Sequence, residues 1–150
     1  MTSEENQQIA LLIGRVPSIP FRVAVRSTSG KVLVIESFPM RSDGYPNPDW
    51  FWLVDKELVR AVGRVEAHGG VAYAEQRFNN SLEAVHNAYR SARNNLLKQC
   101  GSDLRVEGGV GGARKGVKCL HSHLAYFLAG GYSPVGAWTA AQIQVGRVRS

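Results

Sequence analysis

The first clear rhythm along the chain is Phe21-Arg22-Val23-Ala24-Val25-Arg26, where apolar and polar side chains alternate. Period two marks a half-buried β-strand, because successive side chains point to opposite faces. Ser27-Thr28-Ser29-Gly30 reads as a turn, and Lys31-Val32-Leu33-Val34-Ile35-Glu36 as the returning strand of a hairpin. Ahead of it, residues 4–13 predict a short helix ending at Gly14, and Pro17 and Pro20 predict an extended connector. Residues 39–49 hold Pro39, Pro46, Pro48, Gly44 and two aspartates, which predicts a loop. Trp50-Phe51-Trp52-Leu53-Val54 is then a short third strand, apolar on both faces and so expected to be covered on both sides.

Beyond this point the period changes. Asp55 is placed to cap a helix carrying Leu58, Val59, Val62 and Val65 on one stripe, with Gly69 and Gly70 ending it after His68. Asn80 with Glu83 three residues later has the form of a capping box, followed by Leu82, Val85, Tyr89, Ala92 and Leu96 at helical spacing to about Gln99. Residues 101–116 hold six glycines and predict a loop. Val117, Leu120, Leu124, Phe127 and Leu128 predict a helix that ends at Gly130-Gly131, and Pro134 and Gly136 lead into a last helix around 137–145. The sum is one α+β domain over residues 1–150. It has about three antiparallel strands from the N-terminal third, packed by four to five helices. Residues 1–20 form a helix and connector, and 108–116 a basic glycine-rich loop.

Composition narrows the function classes. No apolar run approaches the roughly 20 residues that cross a bilayer, so no membrane partner is expected. The start, Met1-Thr2-Ser3-Glu4-Glu5-Asn6, lacks the basic and then apolar character of an export signal, and a cytoplasmic location is the expectation. Cys100 and Cys119 do not make a disulfide framework. The net charge is +6, yet no acid follows Glu107, so Arg114, Lys115, Lys118, Arg147 and Arg149 give the last 43 residues a net +5. Such asymmetry favours an anionic partner, whether nucleic acid, a phosphorylated metabolite or an acidic protein surface, or else serves solubility alone.

The stretch with most chemical content is Gly108-Gly109-Val110-Gly111-Gly112-Ala113-Arg114-Lys115-Gly116-Val117-Lys118-Cys119-Leu120-His121. A basic glycine-rich loop here runs into a predicted helix start. The first helical turn has free N–H groups at a positive dipole end, and glycines allow close approach of a phosphate. The spacing is not that of a nucleotide-triphosphatase loop, since Val117 stands where a lysine is required and no Ser or Thr follows. A surface loop using glycine only for turns has the same composition. Cys119, beside Lys118 in the predicted first turn, has three readings: a reactive thiol with a histidine nearby, a metal ligand with His123 on the same helix face, or a small core residue. Completing a metal set would need His68, His86, His121 or distant acids, and nothing local supplies them. Trp50, Phe51, Trp52 and Tyr45 could stack on bases if exposed, or pack a core. There is no Gly-x-Ser-x-Gly nucleophile turn and no informative carboxylate pair.

Several segments together resemble a bacterial family named domain of unknown function 501. They are Gly14-Arg15-x-Pro17, Pro39 with Asp43-Gly44-x-Pro46-x-Pro48, Trp50-Phe51-Trp52-Leu53, Leu58 through Arg64-Val65-Glu66-Ala67-x-Gly69, Ala88-Tyr89-Arg90, Val117-Lys118-Cys119-Leu120-His121 after Gly111-Gly112, and Ser133-Pro134-x-Gly136. The resemblance implies that Lys118, Cys119 and His121 matter to the family, and it implies no activity. It also associates the family with genes of cell division. The chain departs from the pattern at Ser27, where the family tends to have Cys, at Tyr126, where it tends to have His, and at Lys115-Gly116 and Ala137.

The resulting expectation is a small anionic or phosphorylated ligand held by Gly111, Gly112, Arg114, Lys115 and Lys118, with Cys119 and His121 as candidate catalytic groups. No metal is assigned and no cofactor is indicated. The alternative is a nucleic-acid-binding protein, or an accessory or adaptor of cell division without catalysis.

Overall fold

A computed structural model describes residues 3–15, 19–47, 49–146 and 148–149. Pro17, Pro48 and Arg147, which entered the sequence reading, lie outside the described residues. The elements run α1 (Ser3–Ile13), β1 (Phe21–Ser27), β2 (Val32–Ser37), β3 (Phe51–Leu53), α2 (Lys56–Ala67), α3 (Gly70–Arg77), α4 (Asn79–Gln99), α5 (Leu120–Leu128), α6 (Pro134–Ile143) and β4 (Val148–Arg149). The fold is α+β, as its periodicity predicts.

The sheet is antiparallel in the order β3-β2-β1-β4, with the two-residue β4 at the free edge of β1. The hairpin pairs Val23 with Ile35 and Val25 with Val34, and the register shifts between them. The strand buried on both faces is β2, not β3 as its aromatic run had led us to expect. Val32, Leu33, Val34 and Ile35 are all buried, whereas Phe51, Trp52 and Leu53 are only half-buried. The reason is position, since β2 sits between two neighbours and β3 is an edge. Ile9, Leu12 and Ile13 of α1 pack with Val32, Ile35 and Val54, while Ala125 and Leu128 of α5 pack with Val25, Leu33 and Val34. A further core joins Val62, Ala74, Leu82, Leu120, Leu124 and Val135 from α2 to α6.

Asp55 caps α2 as predicted, its carboxylate accepting the Leu58 N–H at 3.1 Å. Gly69, in the left-handed region at φ 84°, ends α2 but also begins α3, a helix absent from the sequence reading. Gly70 then passes against α2 so closely that a Cβ would lie 2.6 Å from the Val65 carbonyl oxygen. The Asn80–Glu83 capping box does not form. Only Phe78 separates α3 from α4, Asn79 and Asn80 are already helical, and no side chain caps the α4 start.

Candidate site at the start of α5

The glycine-rich segment is pinned from below rather than loose. His86 of α4 is buried, and its Nδ1 accepts the Val110 N–H at 3.1 Å. That places its proton on Nε2, which donates to the Gly116 carbonyl at 2.8 Å. Asn94 holds Val106 by both backbone groups, at 2.8 and 3.2 Å. Glu75 of α3 accepts the Val117 N–H at 2.8 Å. These three side chains fix where the loop delivers its last residues. Their anchoring role was not legible in the sequence, where His86 figured only as a distant candidate metal ligand, because they stand 12 to 42 residues from their partners.

Helix α5 starts at Leu120, three residues later than Val117 had indicated. Glu75 takes the Val117 amide outside the helix, and Cys119 is the extended N-cap (φ −155°, ψ 124°) rather than a first-turn residue. Three ionisable groups converge at this cap. Cys119 Sγ lies 3.8 Å from His121 Nδ1. His121 Nε2 donates to the Val59 carbonyl at 3.1 Å, so Nδ1 is the nitrogen turned to the sulfur. Glu66 of α2 places Oε1 3.3 Å from the same Nδ1, and its Oε2 accepts the Leu120 N–H at 2.9 Å. About a quarter of each of the His121 and Glu66 side chains is exposed.

The electrostatics follow from this geometry. The Cys119 contact raises the His121 pKa to about 9, against burial and with help from the Val59 carbonyl and Glu66. Burial of Cys119 opposes its ionisation, but His121 and the Ser122 amide and hydroxyl outweigh it and hold the thiol below its ordinary value. Each group thus favours the charged form of the other, drawing the thiol toward thiolate and the imidazole toward imidazolium. The ligand atoms of Glu66, Cys119 and His121 all lie within 4.8 Å of one another, so the same trio could also hold a cation.

His123, expected on the same face as Cys119, turns into the core instead. It is fully buried, with Nδ1 2.8 Å from the Ser133 hydroxyl. That hydroxyl also accepts the Gly136 N–H, and the buried His123 Nε2 has no partner among the described atoms. Burial and nearby His86 lower the His123 pKa to about 4. Nor are Ser27 and Tyr126, two of the departures from the family pattern, part of the trio. Ser27 contacts Ser29 and the Lys31 amide in the hairpin, and Tyr126 packs with Trp50, Phe51 and Tyr89. The aromatic run thus supplies a core, although Tyr45 is exposed.

Of the expected anion-binding residues, Gly111 and Gly112 come to the α5 start. A Cβ on Gly111 would lie 3.1 Å from the Ser122 hydroxyl and 3.9 Å from Cys119 Cβ, and one on Gly112 would lie 4.0 Å from Lys118 Nζ. Lys115 and Lys118 are exposed, while Arg114 turns away to Glu107 at 3.2 Å. The Leu120 N–H is already filled by Glu66. A cavity of about 690 Å³ lies elsewhere, between α2, α3 and α6, and is lined by Arg64, His68, Tyr73, Trp138 and Gln142 among others.

No helix among the described residues is long and apolar enough to cross a membrane. No curated protein and no solved structure matches the chain. A family model described as protein of unknown function (DUF501) matches residues 23–141, a span that includes most of the hairpin, α2 to α5, most of α6 and every residue of the Glu66–Cys119–His121 cluster, and the chain belongs to that family.

Proposed function

We propose that the chain binds and acts on a small anionic, phosphorylated ligand at the start of α5, with Cys119 and His121 as its chemically active pair. The observation that supports this most is a juxtaposition. Gly111 and Gly112 lie against Ser122, Cys119 and Lys118, so the basic loop and the thiol–imidazole pair share one surface. Lys118 lies beside Gly112 and Lys115 is exposed in the same segment, although Glu66 and Glu75 bring two carboxylates to the same helix start. Because Glu66 fills the Leu120 amide, the anion would rest on the lysines and loop amides beside the helix start rather than on its axis.

The test is a thermal-shift panel of inorganic phosphate, sugar phosphates, nucleotides and short RNA and DNA. A ligand at 100 times its Kd adds about 2.7 kcal/mol, a rise of very roughly 5–10 °C for this size. The expected result is a selective rise with one small anion that Lys118→Met removes while the unliganded melting temperature stays the same. An unchanged rise in Lys118→Met overturns the reading. A second reading, nucleic-acid binding, draws on the same acid-free C-terminal charge. It requires affinity that falls steeply with salt, because phosphate contacts release counterions.

A further inference from the structure

We infer that Glu66, Cys119 and His121 form a three-residue site for a zinc-class divalent cation, with a fourth position open to solvent. This rests on the reading above only in taking the start of α5 as the working centre; with the cation bound, Cys119 and His121 serve as its ligands rather than as a free thiol–imidazole pair.

The donor set is one nitrogen, one sulfur and one carboxylate oxygen, a combination suited to zinc rather than to calcium or magnesium. The spacing fits as well. A tetrahedral zinc at ordinary bond lengths sets its ligand atoms about 3.3–3.6 Å apart. The observed separations are 3.3 Å for Nδ1 to Oε1 and 3.8 Å for Sγ to Nδ1, with every pair inside 4.8 Å. Closing on an ion therefore asks for side-chain adjustments of an ångström or less.

The surroundings point the same way. A metal-binding histidine typically spends its second ring nitrogen on a carbonyl or carboxylate, which fixes the ring. His121 does this with Val59. Glu66 is held likewise, since Oε2 takes the Leu120 N–H and leaves Oε1 turned to the cluster. Two of the three donors are thus oriented by backbone groups. Structural zinc sites close with four protein donors, whereas catalytic ones keep three and an open position. Three donors are present, and His121 and Glu66 are each about a quarter exposed, so both an entry path and a free coordination position exist. An anion drawn in by Lys118 would find that position.

The test uses the full chain freed of metal with a chelator and titrated with Co²⁺. Expected are one equivalent bound, the intense visible bands of tetrahedral cobalt, a near-ultraviolet thiolate-to-cobalt band, and loss of all of these on adding Zn²⁺. Cys119→Ser should lose the thiolate band, and serine keeps a good N-cap, so the helix start survives. Glu66→Gln keeps an acceptor for the Leu120 N–H and should weaken Co²⁺ roughly tenfold or more. Cys100→Ser should change nothing. Absence of a thiolate band, or a band that survives Cys119→Ser, overturns the inference. A phosphate-ligand shift that persists in chelator without any cobalt band would sink the metal site and leave the anion reading standing. A cobalt band with no anion effect would do the reverse.

Discussion

Gly109 lies directly on the His86 imidazole, so close that a methyl group in place of its hydrogen would overlap the ring at Nδ1. The same ring holds the loop at Val110 and at Gly116. Gly109→Ala must push His86 aside or lift the loop, and either motion breaks buried hydrogen bonds. The expected cost is about 2–4 kcal/mol, from overpacking together with unsatisfied polar groups. Urea unfolding measures it, and an unchanged midpoint would show that the loop is free to move.

Arg93 is fully buried, with one guanidinium nitrogen donating to the Asn47 and Asp49 carbonyls at 3.1 and 2.7 Å and the group lying over the Trp50 ring. It ties α4 to the loop before β3. Arg93→Ala is expected to cost about 3 kcal/mol, since two carbonyls lose their donor and a large cavity opens. Arg93→Lys should recover only part of this, because an ammonium has no planar face to lie over the Trp50 ring. Full recovery with lysine in a denaturant titration would contradict the role of geometry.

Asp55 accepts the Leu58 N–H as the N-cap of α2, the helix that carries Glu66 and Val59. Asp55→Ala is expected to cost about 1 kcal/mol and Asp55→Asn much less. Equal losses in the two variants, read by thermal unfolding, would show that charge rather than capping matters there.

His123 couples stability to pH. Its folded pKa is held at about 4, below the usual value, by burial and by His86. The unfolded chain takes up a proton below about 6.5 while the folded chain does not. Its contribution is therefore fully present above pH 6.5 and is lost as the pH falls toward 4, by up to about 3 kcal/mol. Unfolding in chelator across this window should show the slope, and His123→Gln should flatten it. An equal slope in the variant would assign the effect to other groups.

Much of the local structure could be read from the chain. Period-two alternation at 21–26, the Asp55 cap and the helical stripe from Leu82 to Leu96 each report on contacts within a few residues, and each element is where that pattern places it. The misreadings share a cause. The Asn80–Glu83 pattern is sound in isolation, but α3 runs up to Phe78 and leaves no free helix end to cap. The aromatic run at 50–54 signals burial without saying which strand is central.

The candidate site divides in the same way. Cys119, His121, Lys118 and the glycines are contiguous, and their chemistry was legible because a basic loop entering a helix is a local signal. That Cys119 would face His121 rather than His123 depended on the helix starting three residues late, with Glu75 holding the Val117 N–H from 42 residues away. Glu66 and Val59 reach His121 only because α2 packs beside the start of α5 around Val62 and Leu120. Spacing along a chain determines which side chains share a strand face or a helical turn. Which carboxylate meets which imidazole across 50 or more residues is settled by the burial of apolar stripes, and for this protein that burial, not the motif, assembled the third member of the cluster.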